Sequence, residues 1–174
     1  MGNEVSQIYA HVDELEDVGK KAISDDSAEM IYSIALNFWR NKKFDKAEGT
    51  YSFLLTMRPR NHKYLMGAAR CCYDMGDYRR ALALYSYAGV CGADSATSML
   101  RIGQCYVMLG EIGTARAMFN YVVRSSQVDS SFVDEDVLQQ AEALFSILSD
   151  KSSAESNNSS EDTNSAESIK RTKE

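Results

Sequence analysis

A period of thirty-four residues runs through the middle of this chain with no insertion or deletion. Windows opening at Ala28, His62 and Ala96 carry the same residue classes at the same places. Place eight holds Ala35, Ala69 and Gly103, and place eleven holds Phe38, Cys72 and Tyr106. Place twenty holds Ala47, Ala81 and Ala115, and place twenty-four holds Tyr51, Tyr85 and Phe119. Small, bulky, small, aromatic describes a helix-turn-helix unit that cannot bury its apolar face alone and must stack on its neighbours. The period therefore constrains the fold to an all-α solenoid. Three tandem repeats are expected over 28–61, 62–95 and 96–129.

Each place has a physical task. The small residue at place eight lets the first helix of a unit (helix A) approach the second (helix B), and place twenty does the same from helix B. The aromatic at place twenty-four fills the gap between successive units. Place four (Ile31, Leu65, Met99) and place seven (Ile34, Ala68, Ile102) extend the spacing into one apolar stripe along each A helix. Gly76 and Gly110 fall where the turn after helix A needs positive φ, and Lys42 stands there in the first unit. The only proline, Pro59, follows a B helix, where a stop belongs. These spacings are similar to the tetratricopeptide repeat.

The flanks differ in composition. Residues 1–27 contain a predicted helix over Asn3–Ile23, with Val5, Ile8, Tyr9, Val12 and Leu15 on one face. It has two readings, a cap on the first repeat, or a dimerisation arm or cover over the groove. Ser24-Asp25-Asp26-Ser27 offers N-caps, with Glu29 expected in the first turn of the first repeat. Within 130–149, the stretch from Asp134 to Leu148 predicts a helix that caps the third repeat through Val137, Leu138, Ala141, Leu144, Phe145 and Leu148. Residues 150–174 are rich in Ser, Asn, Glu and Lys and carry too little apolar surface to offset ordering entropy, so a disordered tail is expected.

Composition narrows the function. The 174 residues carry a net charge of −6 and no basic helix, which argues against a nucleic-acid footprint. No run reaches the roughly 18 apolar residues of a membrane span. Met1-Gly2 with Ser6 fits the myristoylation pattern in form, but nothing basic follows to supply a second anchoring signal. No secretory leader is expected from the acidic opening residues. Cys71, Cys72, Cys91 and Cys105 show no metal-ligand spacing and read as small helix-packing residues in a reducing compartment. No catalytic residues, metal or cofactor are expected.

Function then rests on the concave face, which A helices line in such stacks. Places two, five, nine, twelve and thirteen point into it. They present Glu29, Tyr32, Leu36, Trp39 and Arg40 in the first repeat, and Lys63, Met66, Arg70, Tyr73 and Asp74 in the second. The third presents Thr97, Leu100, Gln104, Val107 and Met108. Tyr32, Leu36 and Trp39 share a face that repeat packing is not expected to use. Apolar side chains in a concavity read as pockets for an apolar peptide. Arg40, Lys63 and Arg70 are candidates to hold its backbone or a carboxylate.

The stretch Ala28–Ser125 resembles the class II chaperones of bacterial type III secretion, the translocator chaperones of the SycD/LcrH/SicA kind. The resemblance is carried by Ile31-Tyr32-Ser33-Ile34-Ala35-Leu36, Lys43-Phe44-Asp45-Lys46-Ala47-Glu48, Met66-Gly67-Ala68-Ala69 and Ala83-Leu84-Tyr85-Ser86-Tyr87-Ala88. It implies a cytoplasmic, non-catalytic chaperone that masks apolar segments of secreted translocator proteins until export, holding them at Tyr32, Leu36 and Trp39. It also implies a homodimer through the N-terminal helix and, as for some relatives, a transcription regulator among the partners. The alternative is a general tetratricopeptide scaffold of another cytoplasmic assembly using the same groove.

Overall fold

The computed structural model describes residues 13–14, 17–19, 22–128 and 133–149. Most of the predicted N-terminal helix and the 150–174 tail lie outside the described residues. Six helices run in order: α1 (Asp25–Arg40), α2 (Phe44–Met57), α3 (His62–Asp74), α4 (Tyr78–Val90), α5 (Ser95–Met108) and α6 (Ile112–Val128). A further helix, α7, covers 135–149. There is no strand among the described residues. The chief contacts join each of α1–α6 to the helix before and after it in the chain. This nearest-neighbour pattern is that of an α-solenoid.

Local chemistry sets the helix ends. Ser24 Oγ accepts from the Ser27 N–H at 3.2 Å and caps α1. That start puts Asp25 and Asp26, rather than Glu29, in the first turn. Asn61, Asp77 and Asp94 cap α3, α4 and α5 in the same way. After α3 and α5, Gly76 and Gly110 take φ of 84° and 80°. The Asp77 N–H then reaches the Cys72 carbonyl, and the Glu111 N–H reaches that of Tyr106. Lys42 closes α1 with the same geometry at φ 57°, and the Lys43 N–H donates to the Phe38 carbonyl. The turn imposes left-handed backbone even without glycine, at some steric cost.

The core is a row of three clusters rather than one centre. The first joins Ala35, Ala47, Tyr51, Leu54, Tyr64 and Cys71. The second joins Ala69, Cys72, Ala81, Tyr85, Ile102 and Cys105. The third joins Leu100, Ala115, Phe119 and Val122 to Val133, Ala141 and Leu148. The small places work by close approach. A Cβ on Gly103 would sit 2.5 Å from the Phe119 ring, and one on Gly67 would sit 2.5 Å from that of Tyr51. Tyr51 thus reaches across from one repeat into the A helix of the next.

Two expectations need correction. Ile34, expected on the apolar stripe, is 46% exposed, whereas its equivalents Ala68 and Ile102 are buried. The later A helices lie against a preceding B helix, and α1 has none before it among the described residues. Cys71, Cys72 and Cys105 are buried, but Cys91 is a half-buried C-cap residue of α4 rather than a packing residue.

At the other end of the first repeat, Asp13 pairs with Arg60, and Gly19 is buried. These pieces of the N-terminal segment therefore lie near the end of α2 and the loop after it.

Candidate peptide-binding groove

The A-helix spacing brings one face of α1, α3 and α5 together around an open cavity of about 330 Å³. From α1 come Tyr32, Leu36 and Trp39, four and three residues apart and therefore on one side of the helix. From α3 come Lys63, Met66 and Arg70. With Thr97 of α5, these are the seven sequence-derived candidates that the fold unites. Tyr73, Gln104 and Val107 line a second concavity of about 300 Å³ beside Leu144 of α7.

The remaining candidates are placed elsewhere. Leu100 is wholly buried in the third core cluster, because α7 packs over the last repeat and closes the space its counterparts face. Arg40 and Met108 stand exposed on the last turns of α1 and α5 and line neither concavity. Tyr32 also departs from expectation. Its ring lies edge-on to Tyr51 at 5.9 Å and 5.7 Å from Tyr64, so it belongs to the core as much as to the groove.

Trp39 is held from two sides. Its indole Nε1 donates to Asp74 Oδ2 at 2.6 Å, and the Arg70 guanidinium lies 3.9 Å from its ring centroid. A cation over an indole face is attracted by the ring quadrupole. The aromatic wall is therefore oriented before any ligand arrives. Burial raises the pKa of Tyr32, Tyr51 and Tyr85, so all three hydroxyls remain neutral at physiological pH. Arg101 works against the shift at Tyr85, and Arg70 against that at Tyr51.

Several lining residues escaped the sequence reading. Tyr51 and Tyr85, assigned to packing alone, also border the cavity, with His62, Gly67 and Arg101. Gly67 and Arg101 share place six, which the first repeat fills with Ser33. Place six lies between two groove places, and its change from Ser to Gly to Arg was a visible signal. Arg101 borders both concavities and donates from Nη1 to Gln104 Oε1 at 3.0 Å.

Known proteins share this architecture. A family profile described as tetratricopeptide repeat matches residues 32–95. The low calcium response locus protein H of Yersinia pestis is 25% identical over 95 residues, 55% of this chain and 56% of that protein. The chain thus spans little more than half the length of that relative. Chaperone protein SicA of Salmonella dublin is 26% identical over 108 residues, covering 62% of this chain and 66% of SicA. Among solved structures, the Yersinia enterocolitica type III secretion chaperone SycD in complex with a peptide of the translocator YopD is similar with a TM-score of 0.66. The identity there is 21%, covering 75% of this chain and 98% of SycD. The resemblance to this group of chaperones is borne out, and so is the all-α repeat fold.

Proposed function

We propose that this chain is a cytoplasmic, non-catalytic chaperone of type III secretion. It holds an apolar segment of a translocator protein in the groove of α1, α3 and α5 until export. Repeats 28–61, 62–95 and 96–129 form the binding unit, and the segments 1–27, 130–149 and 150–174 flank it. One observation carries the reading. Leu36, Trp39 and Met66 stand half-buried around an open cavity, in a fold whose relative SycD has been solved with a translocator peptide. Their apolar surface is already partly withdrawn from water and oriented, so little ordering entropy opposes binding. A segment that enters buries its own aggregation-prone side chains against them.

The chemistry of the lining is that of binding. The tyrosine hydroxyls are held neutral, and the cations can meet backbone carbonyls or carboxylates. No helix among the described residues is long and apolar enough to cross a membrane. Self-association through the N-terminal segment and contact with a transcription regulator are further partners that the resemblance implies.

The test is co-expression with hydrophobic secreted proteins encoded in the same genome, followed by purification through a tag on this chain. A translocator-type protein should stay soluble only in its presence and be lost with Leu36→Glu. Equal retention by that variant, or no protein kept soluble, would show the reading to be wrong.

A further inference from the structure

We infer that the groove selects an extended segment in which apolar residues alternate with carboxylates, the apolar ones facing α1 and the acidic ones facing α3 and α5. The inference rests on the groove reading above and adds the chemistry of the occupant. The cavity has two unlike walls. Tyr32, Leu36 and Trp39 from α1 bring no charge, whereas α3 and α5 bring Lys63, Arg70 and Arg101 beside the apolar Met66. No carboxylate lines the cavity among the described residues. This is a local reversal of sign in a chain whose net charge is −6, so it is not a consequence of a generally basic surface.

None of the three cations is seen in an ion pair among the described residues. The ion pairs seen among the described residues engage Arg58, Arg60 and Arg80 instead. Asp74, the acid beside the α1 wall, accepts from the Trp39 indole and does not line the cavity. Arg70 lies over the ring of Trp39, which fixes its position at the border of the two walls. Arg101 is tethered by Gln104. Successive side chains of an extended peptide point to opposite faces. A segment lying between these walls therefore offers one face to the aromatic side and the other to the cations. Carboxylates on the second face meet charge-assisted donors, and arginine can receive them with two parallel hydrogen bonds.

The experiment uses the full chain and short fluorescein-labelled synthetic peptides in which leucine alternates with glutamate, serine or lysine. Fluorescence anisotropy reads the affinity. The glutamate peptide should bind roughly tenfold more tightly than the serine peptide, with the lysine peptide weakest. That ranking should shrink as salt rises from about 50 mM to about 500 mM, since partly exposed charges are screened. Arg101→Glu should reduce or reverse the preference for glutamate over lysine. Lys63→Glu, on the exposed first turn of α3, gives the same readout without touching Tyr85 or Gln104. Equal binding of glutamate and serine peptides, with all binding lost in Leu36→Glu, would overturn the acidic preference and leave the groove reading standing. Failure of all three peptides, or binding unaffected by Leu36→Glu, would overturn both.

Discussion

The indole of Trp39, on the last turn of α1, donates a 2.6 Å hydrogen bond to the carboxylate of Asp74, at the end of α3. The bond links the A helices of two successive repeats at one edge of the groove. With Arg70 over its face, the ring acts as a fixed wall of the site rather than a mobile anchor.

Trp39 is the only tryptophan, so its emission reports on this link directly. Asp74→Ala should shift that emission to the red and cost about 1.5 kcal/mol in urea denaturation, at the low end for a bond to a charged group because the pair is partly exposed. Unchanged emission and stability together would mean that the bond is not populated in solution.

Close approach at two glycines predicts a second set of outcomes. Gly67→Ala and Gly103→Ala place a Cβ 2.5 Å from the rings of Tyr51 and Phe119, both fully buried. Each should destabilise by about 1–3 kcal/mol in thermal or chemical denaturation. Gly49→Ala in α2 meets nothing within 4 Å and should be neutral or stabilising by up to about 1 kcal/mol. Similar effects at all three sites would contradict the packing described.

The buried thiols predict a weakness in alkali. Burial pushes Cys71 up to about 12 from an ordinary value of 9.0, with the Asp74 charge adding to it. Burial likewise raises Cys105 to about 11, against the pull of Arg101. Tyr51 and Tyr85 are raised as well. The native state thus keeps protons that the unfolded chain releases. The stabilisation is complete below about pH 9 and fades as pH climbs towards 11 and 12. Far-UV circular dichroism should show cooperative unfolding in that range. At neutral pH, iodoacetamide should modify half-buried Cys91 well before Cys71, Cys72 and Cys105. Equal rates at all four would refute the burial assigned to the other three.

Adjacent residues of α7 give an internal control. Leu148 is 6% exposed and packs in the third core cluster, whereas Ile147 is 53% exposed. Leu148→Ala should cost about 2–4 kcal/mol and Ile147→Ala well under 1 kcal/mol, read from denaturant midpoints. Matching losses would mean that α7 does not seat on the third repeat in this register.

Short-range spacing alone was enough to establish the helix-turn-helix repeats and their order. Ala35, Ala69 and Gly103 recur at one place, and Tyr51, Tyr85 and Phe119 at another, because each repeat meets the next through the same geometry. The turns were legible for the same reason, down to Lys42 standing where Gly76 and Gly110 stand. What each groove position faces was decided only by the tertiary structure. Place five is half-buried as Tyr32 and Met66 but sealed as Leu100, because α7 folds back over the last repeat and no helix among the described residues covers the first two in that way. Place six holds Gly67 beneath Tyr51 and Arg101 near Tyr85, so one position serves close packing in one repeat and supplies a cation to the groove in the next. Periodicity assigns a residue to a face of its own helix. Whether that face meets core, ligand or solvent depends on distant segments packed against it.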